Sequence, residues 1–442
     1  MTSSEPVSRR SFIGLMGAGA GALALGTAGC SAGSSSTPSG GSAGGEFQIW
    51  ALQDQVQNRV QQAAINRFNG KSATKAKLVP FQNKSYTNKL RVSMGSPNKP
   101  DVFFNWGGGS IRTYVQSGLL QDLTPVFDAD PAFKAKFLPA VLDAGKIDGK
   151  FYGVPLRGMQ PVILFTNKDA FSKAGVAAPP TNWAEMMSQI PKFKAAGIAP
   201  FALAGNQSWT LLMWLEYLTD RFGGPEVFGK VAANEKDAWR QPELTQALEA
   251  ITSLVEAGGF ASNFASVGYE EGGAGTFFAK GRAAMHLMGS WEYTNQVDQQ
   301  PKFAKGGLGW ANFPAVEGGK GDPKNIVGNP TNYFSITSSS KSVQAATDFL
   351  KQEMAGDAYV DDFIKAGDVP PVADVESRLS ASPSPEFAKV VYNMVKDAPA
   401  FTLSWDQAID NKYAQPMLDN LQKVFLRKLD AKGFVDAMVA LQ

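Results

Sequence analysis

Ring-bearing side chains stand beside an amide or an acid at five places in the chain: Asn105-Trp106, Gln207 to Trp209, Trp291-Glu292, Asn332-Tyr333 and Trp405-Asp406. An indole offers a broad, rigid apolar face, while an adjacent carboxylate or amide makes directed hydrogen bonds. The combination suits a ligand with one apolar face and a rim of hydroxyls, and a sugar ring is such a ligand. Half-buried packing is the ordinary alternative for any single tryptophan near a turn. Five pairs together weigh against it.

The elements that would hold these pairs repeat one pattern, a strand whose carboxyl end runs through a short rim into a helix. The stretch Gly275 to Tyr293 shows it most fully: a helix end, a turn at Lys280-Gly281, a strand Ala283 to Met288, and a Gly289-Ser290 turn into a new helix. In open α/β sheets ligands bind at that rim. A first strand, Phe47 to Leu52, places Gln53 and Asp54 there before a helix bearing Val56, Val60, Ala63, Ala64 and Phe68. A strand Ala76 to Val79 leads to a helix from about Tyr86, and Asp101 to Asn105 ends in Trp106-Gly107-Gly108-Gly109, where glycines would let backbone approach a ligand. Ala199 to Ala204 ends at Asn206 to Trp209, and Phe334 to Thr337 follows Asn332-Tyr333. Trp214 and Trp239 lie within helical periodicity and are expected in the core. Crossings at Pro155, with Arg157 and Gln160 beside it, near Leu308 to Phe313, and at Gly367 to Ala373 predict two discontinuous α/β lobes hinged around a cleft.

Composition narrows the chemistry. The 442 residues suffice for two lobes, and 44% hydrophobic with 19% charged is ordinary for a globular protein. The net charge is +2, and losing Arg9, Arg10 and Glu5 with a leader leaves +1, so nucleic acid is not an expected partner. The single cysteine, Cys30, allows no internal disulfide, and the single histidine, His286, excludes most His-based metal and triad sites. His286 in AAMHLM reads as a packed histidine, and no metal or cofactor is expected. A glycoside hydrolase using Glu292 and Asp406 as paired carboxylates is the enzyme alternative. A serine hydrolase would want GxSxG between strand and helix, which Gly107 to Ile111 lacks.

Residues 1–30 read as an address. Ser8-Arg9-Arg10-Ser11-Phe12 is a twin-arginine pair ahead of a Gly/Ala-rich apolar run, within which GAGAGA at Gly17 to Ala22 is low complexity and not a dinucleotide loop. Thr27-Ala28-Gly29-Cys30 resembles a bacterial lipobox, although a large aliphatic residue is usual where Thr27 stands. Cleavage and lipidation at Cys30 would follow. An unprocessed spanning anchor is the alternative, and the glycines argue against it. Residues 31–45, SAGSSSTPSGGSAGG, have the composition of a flexible tether reaching roughly 20 Å.

The segments GKFYGVPLRGMQPVILFTNKDAF (Gly149 to Phe171), TNWAEM, FFAKGRAAMHLMGSWEY and SWDQAI (Ser404 to Ile409) carry a wider likeness. Through them the chain resembles the sugar-binding lipoproteins of bacterial ABC importers, the group that includes maltose-binding protein. The resemblance implies the periplasmic-binding-protein fold, with lobes at 46–155 plus 312–367 and 156–311 plus 368–442. It also implies a monomer on the outer face of the cell membrane that takes a carbohydrate ligand, performs no catalysis, and delivers to ABC permease subunits. Cleft-lining positions of that group match Gln53, Asp54, Trp106, Arg157, Gln207, Trp209, Trp291 and Trp405 here. Asn105, Glu292, Asn332, Tyr333 and Asp406 are added from the pairs themselves. Arg157 stands where the maltose-type pattern has an acid, which opens hydrogen bonding to ring hydroxyls or to an acidic or N-acetyl group. Several indoles in one cleft favour a di- or oligosaccharide.

Overall fold

The computed structural model describes residues 45–442 apart from Ala144 and Glu271. The twin-arginine leader, Cys30 and the tether up to its last glycine lie outside the described residues.

Thirteen strands run β1 (Glu46–Leu52), β2 (Lys75–Phe81), β3 (Val102–Asn105), β4 (Lys146–Ile147), β5 (Lys150–Phe151), β6 (Val154–Pro155), β7 (Gln160–Asn167), β8 (Ala199–Ala202), β9 (Ala283–Gly289), β10 (Leu308–Ala311), β11 (Ile326–Asn329), β12 (Tyr333–Ile336) and β13 (Phe401–Leu403) among the described residues. They form two separate main sheets. The first has the order β2-β1-β3-β12-β6, and the second β13-β11-β7-β9-β8 with β10 also paired to β7. The strand-rim-helix pattern is realised at β1, which feeds the helix Gln55–Lys71, and at β9, which feeds the helix Trp291–Gln299. Buried strands read as unbroken apolar runs, as in ILF of β7 and AAM of β9, because helices cover both faces. Trp214 and Trp239 are in the core as expected.

Local chemistry sets the helix starts. Asn182 caps the helix Trp183–Ala195 by accepting from the Glu185 N–H, while the Glu185 carboxylate accepts from the Thr181 N–H in return, a reciprocal capping box. Asp54 caps the helix Gln55–Lys71 in the same manner, with Oδ1 accepting from the N–H groups of Val56 and Gln57.

The chain passes between the sheets at Leu156–Met159, after β6, and returns at Pro330–Asn332, before β12. The return falls later than the sequence break at 312. Residues Ile326–Asn329 pair with β7 and β13 and so extend the second sheet, a short strand hidden behind the turn-rich loop Gly318 to Asp322. Hydrogen bonds tie the passages together. The Leu156 N–H donates to Asn332 O, the Met159 N–H to Val369 O, and Thr331 Oγ1 donates to Arg157 O. Gly158 has no room for a side chain, since a Cβ there would lie 2.4 Å from Val369 O. Beyond that point, Val372 still bridges to Phe137 beside the first sheet.

Candidate functional site

At the end of β1, Asp54 divides its two oxygens between tasks. One caps its helix, and the other lies 3.4 Å from Nη2 of Arg157. Arg157 sits on the first passage with its side chain only 11% exposed, and its Nε is 3.5 Å from Asp368, just after the helix Asp357–Lys365. Asp368 in turn accepts from Gln57 Nε2 at 2.9 Å. Burial pushes the Asp368 carboxyl up, and the charge of Arg157 pulls it back. Asp368 and Gln57 are therefore parts of this cluster that the sequence did not single out. Gln53 is exposed beside them, its N–H donating to Phe81 O.

Facing side chains come from the second sheet. β8 and β9 are parallel neighbours, so their carboxyl ends lie at one edge, and the rims after them bring Trp209 and Trp291 to ring centroids 6.3 Å apart at 48°. Trp209 also meets Tyr269 edge-on at 5.2 Å. Gln207 is held at both ends: its carbonyl accepts from the Tyr269 N–H at 2.8 Å, and its amide donates to Glu270 at 2.7 Å. The Tyr269 hydroxyl accepts from Asn295 Nδ2 at 2.7 Å. Burial, then the negative charges of Glu292 and Asp54, push the Tyr269 phenol well above its ordinary range. The helices that start at the β1 and β9 rims face one another, Arg59 of the first lying 3.8 Å from Asp298 of the second. Tyr269-Glu270 is a further ring-acid pair, missed in the sequence because a one-turn helix at Phe264–Ser266 precedes it instead of a strand.

The chain matches the family described as bacterial extracellular solute-binding proteins over residues 53–352, well over half its length. This protein belongs to that family. Among relatives of the solute-binding protein, a multiple sugar-binding protein of Streptococcus mutans is 25% identical over 320 residues, 67% of this chain and 72% of that one. An uncharacterized ABC transporter extracellular-binding protein of Pyrococcus horikoshii is 27% identical over 201 residues, 45% of this chain. The match spans 44% of that relative's length, less than half. A solved structure described in terms of xylan utilization by Caldanaerobius polysaccharolyticus superposes with a TM-score of 0.80 at 24% identity, covering 89% of this chain and 99% of that one. A chitin oligosaccharide binding protein superposes equally well at 22% identity, covering 90% and 98%. The α/β fold is the two-lobed one of these solute-binding structures.

Within the solute-binding protein, several paired residues are structural. Trp405 is wholly buried, stacked on Phe228 at 4.4 Å with its indole N–H donating to the Phe228 carbonyl. It is a core anchor and has no face for a ligand. Tyr333 is likewise buried, its hydroxyl donating to Val141 O and its ring filling space that only glycine leaves at positions 145 and 153. Asn105 is spent on Ser335 and the Gly107 N–H, and Asn332 is buried at the second passage. Gly108 and Gly109 approach protein instead of ligand, since a Cβ on Gly109 would fall 2.3 Å from Ile409 O. Trp106 stays half-buried, edge-on to Phe104 at 4.9 Å.

The two carboxylates of the hydrolase alternative are both buried. Burial raises Glu292 to about 7, countered by hydrogen bonds from Gln296 and Tyr269. Burial also raises Asp406 to about 6, and its charge bears on Glu216. The family is one of solute-binding proteins, not hydrolases. His286 donates through Nδ1 to Ala202 O at 3.1 Å, and full burial lowers it to about 4 and keeps it neutral. A hollow of about 600 Å³ against Lys194, Phe260 and Arg427 lies away from all these residues, whereas one of about 250 Å³ lies between Val56 and Arg59 of one side and Thr294 and Val297 of the other.

Proposed function

We propose that this solute-binding protein captures a sugar, a di- or oligosaccharide, between its two lobes and hands it to an ABC permease in the membrane. The observation that carries the reading is the pair of half-buried indoles, Trp209 and Trp291, at adjacent strand ends with Asp54 and Arg157 opposite. Two faces set at an angle can hold successive rings, and the amides and acids around them take the hydroxyls. Gln53, Asp54, Trp106, Arg157, Gln207, Trp209, Trp291 and Glu292 form our proposed ligand-binding set. We place the lobe boundaries at Leu156–Met159, Pro330–Asn332 and Gly367–Ala373, with hinge bending there closing the cleft. The likeness to sugar-binding relatives supports the ligand class, and an extracellular or periplasmic location follows the family description. Export by the twin-arginine route, lipidation at Cys30 and action as a monomer belong to the same proposal.

Titration of the full chain with neutral sugars, followed by intrinsic tryptophan fluorescence, tests it. Saturable change with the sugar left intact supports capture, and steady sugar breakdown would restore the hydrolase. Trp291→Ala is expected to lower sugar affinity by about 1–3 kcal/mol with folding intact. Trp405→Ala should instead cost about 3–5 kcal/mol of stability, because it empties a core site. Unchanged affinity in Trp291→Ala would remove the stacking role. Cys30→Ser should release the protein from the membrane fraction, and its retention there would exclude the lipid anchor.

A further inference from the structure

The cations of this chain are not spread evenly. Between Gln55 and Pro100 there are nine lysines and arginines and no aspartate or glutamate, which leaves the rest of the chain net acidic. Arg59 and Arg67 are paired with acids from other segments. Lys75, Lys77, Lys89 and Arg91 are exposed, on β2, which is the edge strand of the first sheet, and on the helix Asn83–Met94 that follows it.

Register gathers three of these lysines onto one surface. Lys75 stands opposite Glu46 and Lys77 opposite Gln48, and alternate residues of a strand share a face, so Lys75, Lys77, Val79 and Phe81 stand on the same side of the sheet as Trp50. Trp50 and Phe81 are half-buried with ring centroids 4.5 Å apart, and Lys89 Nζ lies 4.6 Å over the Phe81 ring, which brings the helix onto this face. Val92 follows one turn after Lys89 on the same flank, and at 65% exposure it is the most exposed large hydrophobic side chain among the described residues. Glu46, 3.7 Å from Lys77, offsets part of the charge. Lysines on an edge strand ordinarily keep other strands away. A bare valine and a half-open tryptophan among them invite an apolar partner instead. Cations around an apolar centre match a surface with anionic headgroups over hydrocarbon.

The path of the chain selects that occupant. The Lys75 N–H donates to Gly45 O at 2.8 Å, so residues 31–45, a tether by composition, join the body at the Lys75 end of this face. Gln53 and Asp54 of the ligand rim follow the opposite end of β1. A lipid on Cys30 would therefore hold this face within roughly 20 Å of the bilayer by random-coil scaling. We propose that the face formed by β2 and the helix Asn83–Met94 rests on an anionic phospholipid surface, with its lysines among the phosphates and Val92 at the acyl boundary, and keeps the body beside its anchor with the cleft open to sugar. The orientation rests on the lipid-anchor reading above, whereas the contact can be measured without the lipid. Such a contact is weak by itself and screened by salt, so loss of the lipid still frees the protein.

The test is co-sedimentation of the full chain carrying Cys30→Ser with vesicles of phosphatidylcholine alone and of phosphatidylcholine mixed with phosphatidylglycerol. At low ionic strength the mixed vesicles should bind the protein about tenfold more tightly, and about 1 M salt should abolish the difference. Lys75→Gln combined with Lys77→Gln and Lys89→Gln should weaken binding to the mixed vesicles about fivefold or more, and Val92→Ser about twofold. Lys173→Gln combined with Lys192→Gln and Lys302→Gln makes the same charge change on exposed lysines of the other lobe and should leave binding unchanged. Urea midpoints near the parent's show that the variants are folded. Equal binding of the parent to both kinds of vesicle, no loss in the first triple variant, or an equal loss in the two triple variants overturns the inference. Tighter binding to soluble polyphosphate than to vesicles of equal phosphate would give the face to an anionic polymer and overturn the lipid assignment. The anchor reading fails separately, if lipidated and Cys30→Ser proteins fractionate alike.

Discussion

The position of the Trp291 indole depends on its neighbour two residues back. A Cβ on Gly289 would lie 2.0 Å from Cζ3 of Trp291, so the ring lies flat against bare backbone at the end of its strand. One face is thereby backed by protein. Gly289→Ala should push the ring off that seat and weaken sugar binding by about 1–3 kcal/mol, as removal of an aromatic anchor does. Calorimetric titration checks this, and an urea midpoint close to that of the parent would show that the loss is local. If affinity were unchanged, Trp291 would have another way to hold its ring. Arg157 makes a related point: its guanidinium is flanked by Asp54 at 3.4 Å and Asp368 at 3.5 Å, carboxylates from two other segments of the chain.

At the level of elements, a strand end followed by a helix start recurs, and each rim is fixed by what the helix packs on. The helix Gly109–Gln116 begins against residues 403–409, which connect β13 to the C-terminal helices. Gly109→Ala would place a methyl group 2.3 Å from Ile409 O. Either the helix or the connector must shift, and we expect a loss of about 1–3 kcal/mol of stability, typical of overpacking. Urea unfolding measures it, and an unchanged midpoint would mean that this contact yields without strain. The periodicity that sets helices and strands was legible here: the stretch from Gly275 to Tyr293 folds as helix, turn, strand and helix in the order its glycines and apolar run suggest. The strand Ile326–Asn329 was not, because four residues beside a loop carry no period of their own.

Across the whole molecule, the connector Ser404–Trp405 is held by a carboxyl buried in the second lobe's central helix. Glu216 Oε1 accepts from Ser404 Oγ at 2.6 Å and from the Trp405 N–H at 2.7 Å. Burial, then the charge of Asp406, raises Glu216 from its ordinary 4.5 to about 8. The folded protein therefore binds that proton more tightly than the unfolded chain, and stability falls as pH rises from about 4.5 through about 8. Glu292 and Asp406 act in the same direction. Glu216→Gln keeps the accepting oxygen and removes the titration, so its urea midpoint should decline less steeply than the parent's between about pH 6 and pH 9. Parallel declines would exonerate Glu216. By itself the sequence determined the strand-rim-helix repeats, the two-lobed α/β class, the core places of Trp214 and Trp239, and Trp209 and Trp291 as rim indoles, since spacing and turn residues are local properties of the chain. Only the tertiary structure decided that Trp405 and Tyr333 turn inward, that Arg157 meets Asp368 from 211 residues away, and that Tyr269 joins the aromatic group. Burial and charge pairing depend on which distant segments pack together, and no local pattern records that.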